Sequence, residues 1–395
     1  MTAARLQSVL RITHRWIGLT LGVILALIGV SGTSLLFQPQ FFRWAHGEMI
    51  PENLPQQVGS IEQWARNARA VVPELHGPIV MWPPHTDHNV SDAGMLIFDG
   101  PEPGGIGNLG LKAVLVAPAT GEVLGVVDVD RSPAYAPLFL HGSLLAGESG
   151  MIVVGIVAIG TLIMLPIGLY LWWPRQARQL TQKLSPLPLK RTFGYAARLH
   201  DWLGIWALVL LLVLAGTGLY MTQPSWVEPA LNLLPAARHS EHSAATAPCS
   251  GAITLDAAIG KAQGQLPHAQ LATVILEDDK GTYELVFRPR GSESTTGETH
   301  VLADLTCGSV VIEESPDTRA PKDVVTSWLS SLHDGTVFGW TGRILITIAG
   351  LTPLILAWSG IRVWLRRRSR RPPSGSASAE RDDPSASTRR WLPQQ

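Results

Sequence analysis

Two histidines stand at matching positions at the heads of two similar apolar stretches of this sequence. His14 precedes an uncharged run that ends at Phe37, and His200 opens a closely similar stretch 186 residues later. A glycine follows each histidine after eighteen residues, at Gly32 and Gly218. Because histidine is the commonest metal ligand in proteins, the repeated pattern suggests a metal or haem held between helices.

A second pair of histidines follows a rule of the same kind. His141 and His333 each precede another apolar run, with a glycine nine residues later, a second glycine after 27 residues and a tryptophan after 31. The residues at these positions are Gly150 and Gly342, Gly168 and Gly360, and Trp172 and Trp364. The other eight histidines have no counterpart in these patterns, and we interpret most of them as surface residues.

The composition is typical of a membrane protein. Charged residues make up only 16% of the 395 residues, whereas soluble proteins contain roughly 25%. Four apolar runs each approach the ~20 residues that a helix needs to cross a bilayer. A signal peptide is the alternative for the first run, but that run is long for such a segment and no A-x-A-like cleavage site follows it. We therefore predict membrane spans at residues 16–37, 151–173, 202–223 and 344–365.

Basic residues give the predicted orientation. Residues 1–16 carry three arginines and no acid, and residues 174–201 carry six basic side chains against one acid. The positive-inside rule then assigns three segments to the cytoplasm: the N-terminus (1–15), the connecting loop (174–201) and an Arg-rich, disordered tail (366–395). The long loops 38–150 and 224–340 lie outside. The formal net charge of zero gives no indication of nucleic-acid binding.

Both outside loops contain patterns of helices and strands. Residues 60–75 have the spacing of an amphipathic helix, and residues 111–130 alternate as two strands joined by a turn at Thr120-Gly121. Residues 253–267 predict a second helix, and TYELVFRP and HVLADLTCGSVVIEE predict further strands. The two cysteines, Cys249 and Cys307, lie in the second loop. An oxidising compartment favours a disulfide between them, and a buried free pair is the alternative.

The whole unit of helix, outer loop and helix occurs twice. VLVAPATGEVL at 114–124 matches VLADLTCGSVV at 301–311, so the duplication extends beyond the apolar runs. Both copies run from inside to outside and back, which predicts a two-fold axis along the membrane normal. That axis brings His14 opposite His200 near the inner surface and His141 opposite His333 near the outer surface. We predict an α-helical bundle of four membrane spans with two outer α+β domains.

Facing histidines inside a membrane predict haem binding. Two neutral imidazoles can supply both axial ligands of a haem iron, and such ligation favours electron transfer because no coordination position stays open. The sequence contains no C-x-x-C-H, which excludes covalent c-type attachment and leaves two b-type haems. A pair of histidines gives only half of a zinc site. The alternative for each histidine is an ordinary polar residue at the membrane surface.

Arginines and glycines near the histidines fit the same hypothesis. Arg15, Arg198 and Arg343 lie close enough in sequence to neutralise haem propionates, and the alternative is that they are simply interfacial residues. The repeated glycines would let a flat macrocycle approach the backbone, or they serve close packing of helices.

The motifs around the four histidines resemble those of the PepSY-associated transmembrane proteins. They are HRWIGL at 14–19, LHGSLLAGESG at 140–150, HDWLGI at 200–205 and LHDGTVFGWTG at 332–342. The resemblance covers about residues 1–368 and extends to ferric-siderophore reductases of the ferrioxamine-reductase type. It implies a bacterial inner-membrane protein with two periplasmic PepSY-like domains. It also implies two b haems at His14, His141, His200 and His333, and a ferric siderophore reduced in the periplasm to release Fe(II).

Three functions remain open at this point. The leading hypothesis is a transmembrane dihaem reductase of ferric siderophores. The second is a haem-containing electron conduit to a protein or another acceptor, and the third is a non-enzymatic PepSY binding or regulatory protein on a membrane anchor. No G-x-G-x-x-G follows a predicted strand, so the electron donor must be another molecule, either a quinol or a cytoplasmic reductase.

Overall fold

The computed structural model describes most of the chain between residues 3 and 368. The described residues are 3–86, 89, 91–100, 109–174, 176, 178–185, 194–235, 249, 251–277 and 281–368. The predicted tail beyond residue 368 therefore lies outside the described residues.

The predicted apolar runs form long helices, and short helices accompany them on both sides. Within the described residues, three helices are long and apolar enough to cross a membrane, and a bent pair makes a fourth if it is counted as one span. The long helices are α1 (Ala3–Ser34), α5 (Gly147–Trp172), the bent pair α7 (Tyr195–Trp206) and α8 (Leu208–Thr222), and α12 (Gly339–Arg368). The short ones are α2 (Gln38–His46), α3 (Ile61–Val71), α4 (Ala136–Ser143), α6 (Arg178–Leu184), α9 (Pro224–Leu231), α10 (Leu255–Gln265) and α11 (Pro321–His333).

The bounds of all four predicted spans differ from those of the helices, and the two largest differences are at the starts of α1 and α7. α1 begins well before Trp16, so His14 lies inside the helix instead of at its head. The third span was predicted to start at Trp202, but helix already begins at Tyr195 and bends by 63° between α7 and α8. Hydropathy does not register such starts because the first turns of both helices carry polar and basic residues.

Glycines bring the long helices close together. A Cβ atom added to Gly29 of α1 would lie 2.2 Å from the carbonyl oxygen of Gly350 in α12, so these two backbones are in direct contact. A Cβ atom on Gly160 of α5 would lie 2.3 Å from Leu21 of α1. Small residues permit this approach of helices in membranes.

One eight-stranded antiparallel sheet contains strands from both outer loops. Its strand order is β4-β3-β2-β1-β5-β6-β7-β8. β1 pairs with β5 through Val80 and Ile275 and through Met81 and Val274, which joins the two loops into one sheet. The strands are β1 (His76–Trp82), β2 (Gly94–Asp99), β3 (Leu111–Val116), β4 (Val123–Asp128), β5 (Ala269–Leu276), β6 (Thr282–Pro289), β7 (Thr299–Asp304) and β8 (Ser309–Glu314).

Helices α3 and α10 cover one face of this sheet. The predicted amphipathic face of α3 is confirmed, because Ile61, Trp64 and Ala68 are buried in the core together with Ala258 and Ala262 of α10. The predicted strand pair is also confirmed as β3 and β4. The other face of β2–β4 packs on the short helices α2 and α4, which connect the sheet to the bundle.

The two cysteines of the second loop are bonded to each other. The disulfide between Cys249 and Cys307 ties the segment before α10 to the turn between β7 and β8. This pairing confirms the prediction made from the sequence.

Candidate functional site

The four repeated histidines meet as two facing pairs at opposite ends of the helix bundle. The ring centroids of His14 and His200 are 6.2 Å apart, with an angle of 90° between the ring planes. Those of His141 and His333 are 5.8 Å apart, with an angle of 54°. We call these the inner pair and the outer pair, after the predicted orientation.

Each histidine ring lies against one of the repeated glycines of a facing helix. His14 lies on Gly168 of α5, and His200 lies on Gly360 of α12. In the outer pair, the rings of His141 and His333 lie on the two remaining glycines, Gly32 of α1 and Gly218 of α8. The glycines at the ends of the eighteen-residue and 27-residue spacings therefore serve one structural purpose, which is to leave space for an imidazole ring.

The clearances show how strictly glycine is required. A Cβ atom on Gly32 would lie 2.5 Å from Cε1 of His141, and one on Gly218 would lie 3.1 Å from Cε1 of His333. The corresponding distances in the inner pair are 3.1 Å from Gly168 to His14 and 3.6 Å from Gly360 to His200. Only the last of these is an ordinary van der Waals contact.

The backbone next to each glycine orients the ring. Nδ1 of His141 lies 2.8 Å from the carbonyl oxygen of Ile28, four residues before Gly32. Nδ1 of His200 lies 3.1 Å from the carbonyl oxygen of Leu356, four residues before its own glycine. A carbonyl oxygen only accepts hydrogen bonds, so Nδ1 donates in both rings and Nε2 keeps its lone pair.

Hydroxyl groups directly before the glycines take part in the same arrangement. Thr217 Oγ1 lies 2.8 Å from Nδ1 of His333 and donates its own hydrogen to the Val213 carbonyl at 2.7 Å, so it accepts from the histidine. Ser359 Oγ lies 3.1 Å from Nδ1 of His200. A Ser or Thr precedes three of the four glycines, but Ser31 donates to the Leu27 and Ile28 carbonyls instead, and the role of the other two was not predicted.

His14 is the exception among the four. Its Nδ1 is buried without a hydrogen-bond partner among the described residues, although the backbone of Met164 interacts with the ring. The residue before its glycine is Ile167 instead of a serine or threonine.

Short helices that precede the membrane helices present the outer pair. His141 lies on α4, and His333 is the last residue of α11. Gly150 and Gly342 let each short helix fold back onto the next one, because added Cβ atoms would lie 1.6 Å from the Ser143 carbonyl oxygen and 2.1 Å from the Gly335 carbonyl oxygen.

Burial favours the neutral form of both rings of the outer pair. Burial lowers the pKa of His141 below its ordinary value. Burial and the neighbouring His141 together lower the pKa of His333 to about 4.

The donor set of each pair fits a haem iron. A metal ion bound by both rings at ~2.0–2.1 Å needs ring centroids about 6 Å apart, which matches the observed 6.2 and 5.8 Å. Each pair supplies two nitrogen ligands, and a porphyrin would supply the other four. Nδ1–H groups held by backbone or hydroxyl oxygens are the usual partners that orient metal-binding histidines.

The three predicted arginines lie in different surroundings. Arg15 is exposed, with its guanidinium 5.5 Å from the ring centroid of Trp16. Arg198 is exposed and lines an inner cavity. Arg343 is half-buried, forms an ion pair with Glu293 and lines an outer cavity. Two of the three therefore line a cavity, and Arg198 lines the one that also contains Asp201, the neighbour of His200.

Two cavities flank the bundle at its opposite ends. The outer cavity, of about 570 Å³, lies between the two halves of the chain and contains the ion pairs Arg43–Asp92 and Arg343–Glu293. The inner cavity, of about 450 Å³, is lined by Trp172, Gln182, Lys183, Ser185, Arg198, Asp201 and Trp202. Its walls include Asp201, which directly follows the ligand candidate His200.

Comparison with protein families agrees with this arrangement of helices and motifs. A model of the PepSY-associated TM region family matches residues 11–367. The chain belongs to this family. The match covers the candidate membrane helices, both histidine pairs and the whole sheet of this PepSY-associated membrane protein. A comparison with curated proteins found no match.

Proposed function

We propose that this protein carries electrons across the bacterial inner membrane to a ferric siderophore in the periplasm, by means of two b-type haems. His14 and His200 would hold the inner haem, and His141 and His333 the outer one. The observation that carries the proposal is the pair of facing imidazoles at each end of the bundle, with three of the four Nδ1 atoms already hydrogen-bonded.

The protein residues have clear tasks in such a mechanism. The four glycines admit the rings, and the carbonyl and hydroxyl acceptors hold Nδ1–H, which would leave Nε2 to bind the iron. When bound, a haem with two histidine ligands supplies reversible one-electron chemistry without an open coordination position. Ferrous iron is then released from the chelate on the outside.

The outer cavity is the proposed binding site for the chelate. It lies beside the first turn of α12, where Arg343 stands, and residues of both outer loops form its walls. Its arginines are paired with Asp92 and Glu293, so the described lining offers polar contacts of both signs. Chelates of the ferrioxamine type are the first candidates to test.

We also propose that the chain consists of two duplicated halves and that its sheet lies in the periplasm. The order of long helix, two short helices, four strands, short helix and long helix occurs in each half, and β1 and β5 meet at the centre of the sheet. We infer two PepSY-like domains fused through one sheet. The basic segments at residues 1–16 and 174–201 and the disulfide in the outer domain favour a periplasmic location of the sheet.

An absorption spectrum of the purified full-length protein tests the cofactor. We expect a b-type spectrum with about two haems per chain, and anaerobic addition of a ferric siderophore should reoxidise the reduced protein with formation of Fe(II). A colourless protein would contradict haem binding. Reduced protein that is reoxidised only by a partner protein would favour the electron conduit instead.

A further inference from the structure

We propose that the loop between β6 and β7 holds α11 in place, and that Ser331 is the positioning residue through which this loop orients His333. The inference rests on the proposed function, because it concerns a ligand of the outer haem. Three observations carry it: a buried cluster of hydroxyl groups, two further attachments of the same loop, and a different arrangement at the matching position of the first half.

The hydroxyl group of Ser331 is bonded to the loop in every direction. Ser331 lies two residues before His333 on α11 and is completely buried. Its Oγ accepts a hydrogen bond from the backbone N–H of Thr295 at 2.9 Å and another from the Ser294 hydroxyl at 3.0 Å. The Thr295 hydroxyl donates to the Ser327 carbonyl at 2.8 Å, so it accepts from Ser331 at 2.9 Å. A serine hydroxyl has one donor and two acceptor positions, and the loop occupies all three.

The same loop is attached to α11 and α12 at two more places. Just before α11, the Arg319 guanidinium donates to the carbonyl oxygens of Thr296 at 2.7 Å and of Glu298 at 2.8 Å. On the other side, Glu293 forms an ion pair with Arg343 in the first turn of α12. The loop therefore contacts the start of α11, its last turn and the beginning of α12.

A shift of Ser331 would be passed on to His333. Two residues of helix span only ~3 Å along the axis, so the two backbones move together. His333 must also keep its Nδ1 at 2.8 Å from the Thr217 hydroxyl and its ring against Gly218. Because hydrogen bonds weaken steeply away from their preferred geometry, a small rotation of α11 would disturb the contact with Thr217.

The matching position of the first half carries a phenylalanine instead of a serine. Phe139 stands two residues before His141 and is buried in an apolar cluster with Phe42 of α2 and Met95 of β2. Apolar packing is non-directional, whereas hydrogen bonds are directional. The orientation of His333, unlike that of His141, therefore depends on specific hydrogen bonds to a loop.

Variants of the purified full-length protein test this role of Ser331. We expect S331A to raise amide hydrogen exchange of residues 325–333 about 10-fold, because the Thr295 N–H and the Ser294 hydroxyl lose their acceptor. The outer haem should be lost about 10-fold faster, and its electron paramagnetic resonance signal should shift as the angle between the ring planes changes. T295V removes a hydroxyl at nearly constant shape and should act in the same direction by about three-fold. T295S keeps the hydroxyl and should behave like the wild type.

Ser327 provides a matched control on the same helix. It lies one turn before Ser331, and its hydroxyl donates to the Val324 carbonyl of α11 at 2.9 Å. S327A should therefore leave hydrogen exchange, haem loss and the resonance signal unchanged.

Equal effects of S331A and S327A, or of T295V and T295S, would overturn the proposal. If S331A does not fold, the two Thr295 variants decide. An unchanged resonance signal of the outer haem in S331A would show that Ser331 only stabilises the fold, which also contradicts a positioning role. Wild-type protein without haem would contradict the proposed function instead, and hydrogen exchange of α11 would still decide whether the loop holds this helix.

Discussion

The inner and outer histidine pairs have the same ingredients but differ in how firmly the rings are held. Both rings of the outer pair have a hydrogen bond at Nδ1, from His141 to Ile28 and from His333 to Thr217. In the inner pair, Nδ1 of His200 has two acceptors, whereas Nδ1 of His14 makes no hydrogen bond of ordinary geometry among the described residues, although the backbone of Met164 interacts with the ring. The glycine clearances are also shorter in the outer pair, at 2.5 and 3.1 Å, than in the inner pair, at 3.1 and 3.6 Å.

This difference indicates that the two sites have different tolerances. A ring that donates a hydrogen bond from Nδ1 and packs closely against a glycine has only one orientation available. A ring such as His14, without an acceptor at Nδ1, can rotate at lower cost. We therefore expect substitutions of equal size to harm the outer site more than the inner site.

Removal of a ligand should have the largest effect and should separate the two sites. We expect H141A and H200A each to lose one of two haems, so that haem absorbance per protein falls by about half, since one remaining imidazole cannot supply both axial ligands. Electron paramagnetic resonance of the remaining haem should differ between the variants, because the ring planes meet at 90° in the inner pair and at 54° in the outer pair.

His268 provides the control for this experiment. It is exposed in the outer domain and belongs to neither pair, so H268A should retain the full haem content. Full haem content in H141A or H200A would show that the corresponding pair is not a haem site.

Glycine substitutions should give the next largest difference. G32A places a methyl group 2.5 Å from Cε1 of His141, whereas G360A places one 3.6 Å from His200. We expect G32A to weaken haem retention at the outer site at least about 10-fold, the usual scale for displaced metal ligands. G360A should change retention less than about two-fold, since alanine is itself up to about 1 kcal/mol better than glycine in a helix. Haem content after dialysis measures both, and equal losses would refute the ranking of clearances.

These glycines also show where prediction from the sequence stopped. The spacing from His14 to Gly32 was visible, but the sequence analysis assigned the glycines to a macrocycle or to helix packing and not to the histidine rings that they face. However, His14 lies on Gly168 and not on Gly32, which faces His141. Such partners are more than 100 residues apart, and only the packing of α1, α4 and α5 determines which residues meet.

The sheet shows the same limit of prediction from the sequence. The pattern at residues 111–130 predicted β3 and β4 because alternation and the turn at Gly121 are local signals. The pairing of Val80 with Ile275 joins distant edge strands, and no local signal in either strand specifies its neighbour. Similarly, the bend between α7 and α8 lies within a continuous apolar run, so hydropathy predicted one straight span.

Hydroxyl substitutions should have a moderate effect that depends on whether a second acceptor is present. T217V removes the hydroxyl bonded to Nδ1 of His333, and S359A removes one of two acceptors of Nδ1 of His200, leaving the Leu356 carbonyl. Loss of such a partner usually costs ~10–100-fold in metal affinity, and we expect about 10-fold for T217V. For S359A we expect less than about three-fold. Haem transfer to an acceptor protein measures both, and a greater loss for S359A would contradict this interpretation.

Addition of a hydroxyl beside His14 should have the smallest effect and should act in the opposite direction. Ile167 occupies the position before Gly168 that Ser359 and Thr217 occupy before their glycines. I167S would place an acceptor where Nδ1 of His14 now has none among the described residues. A hydrogen bond typically contributes about 1 kcal/mol, which corresponds to roughly a five-fold slower loss of the inner haem. I167A, which shortens the side chain without adding an acceptor, should not slow the loss. If I167S and I167A behave alike, the free Nδ1 of His14 is not what distinguishes the inner pair from the outer one.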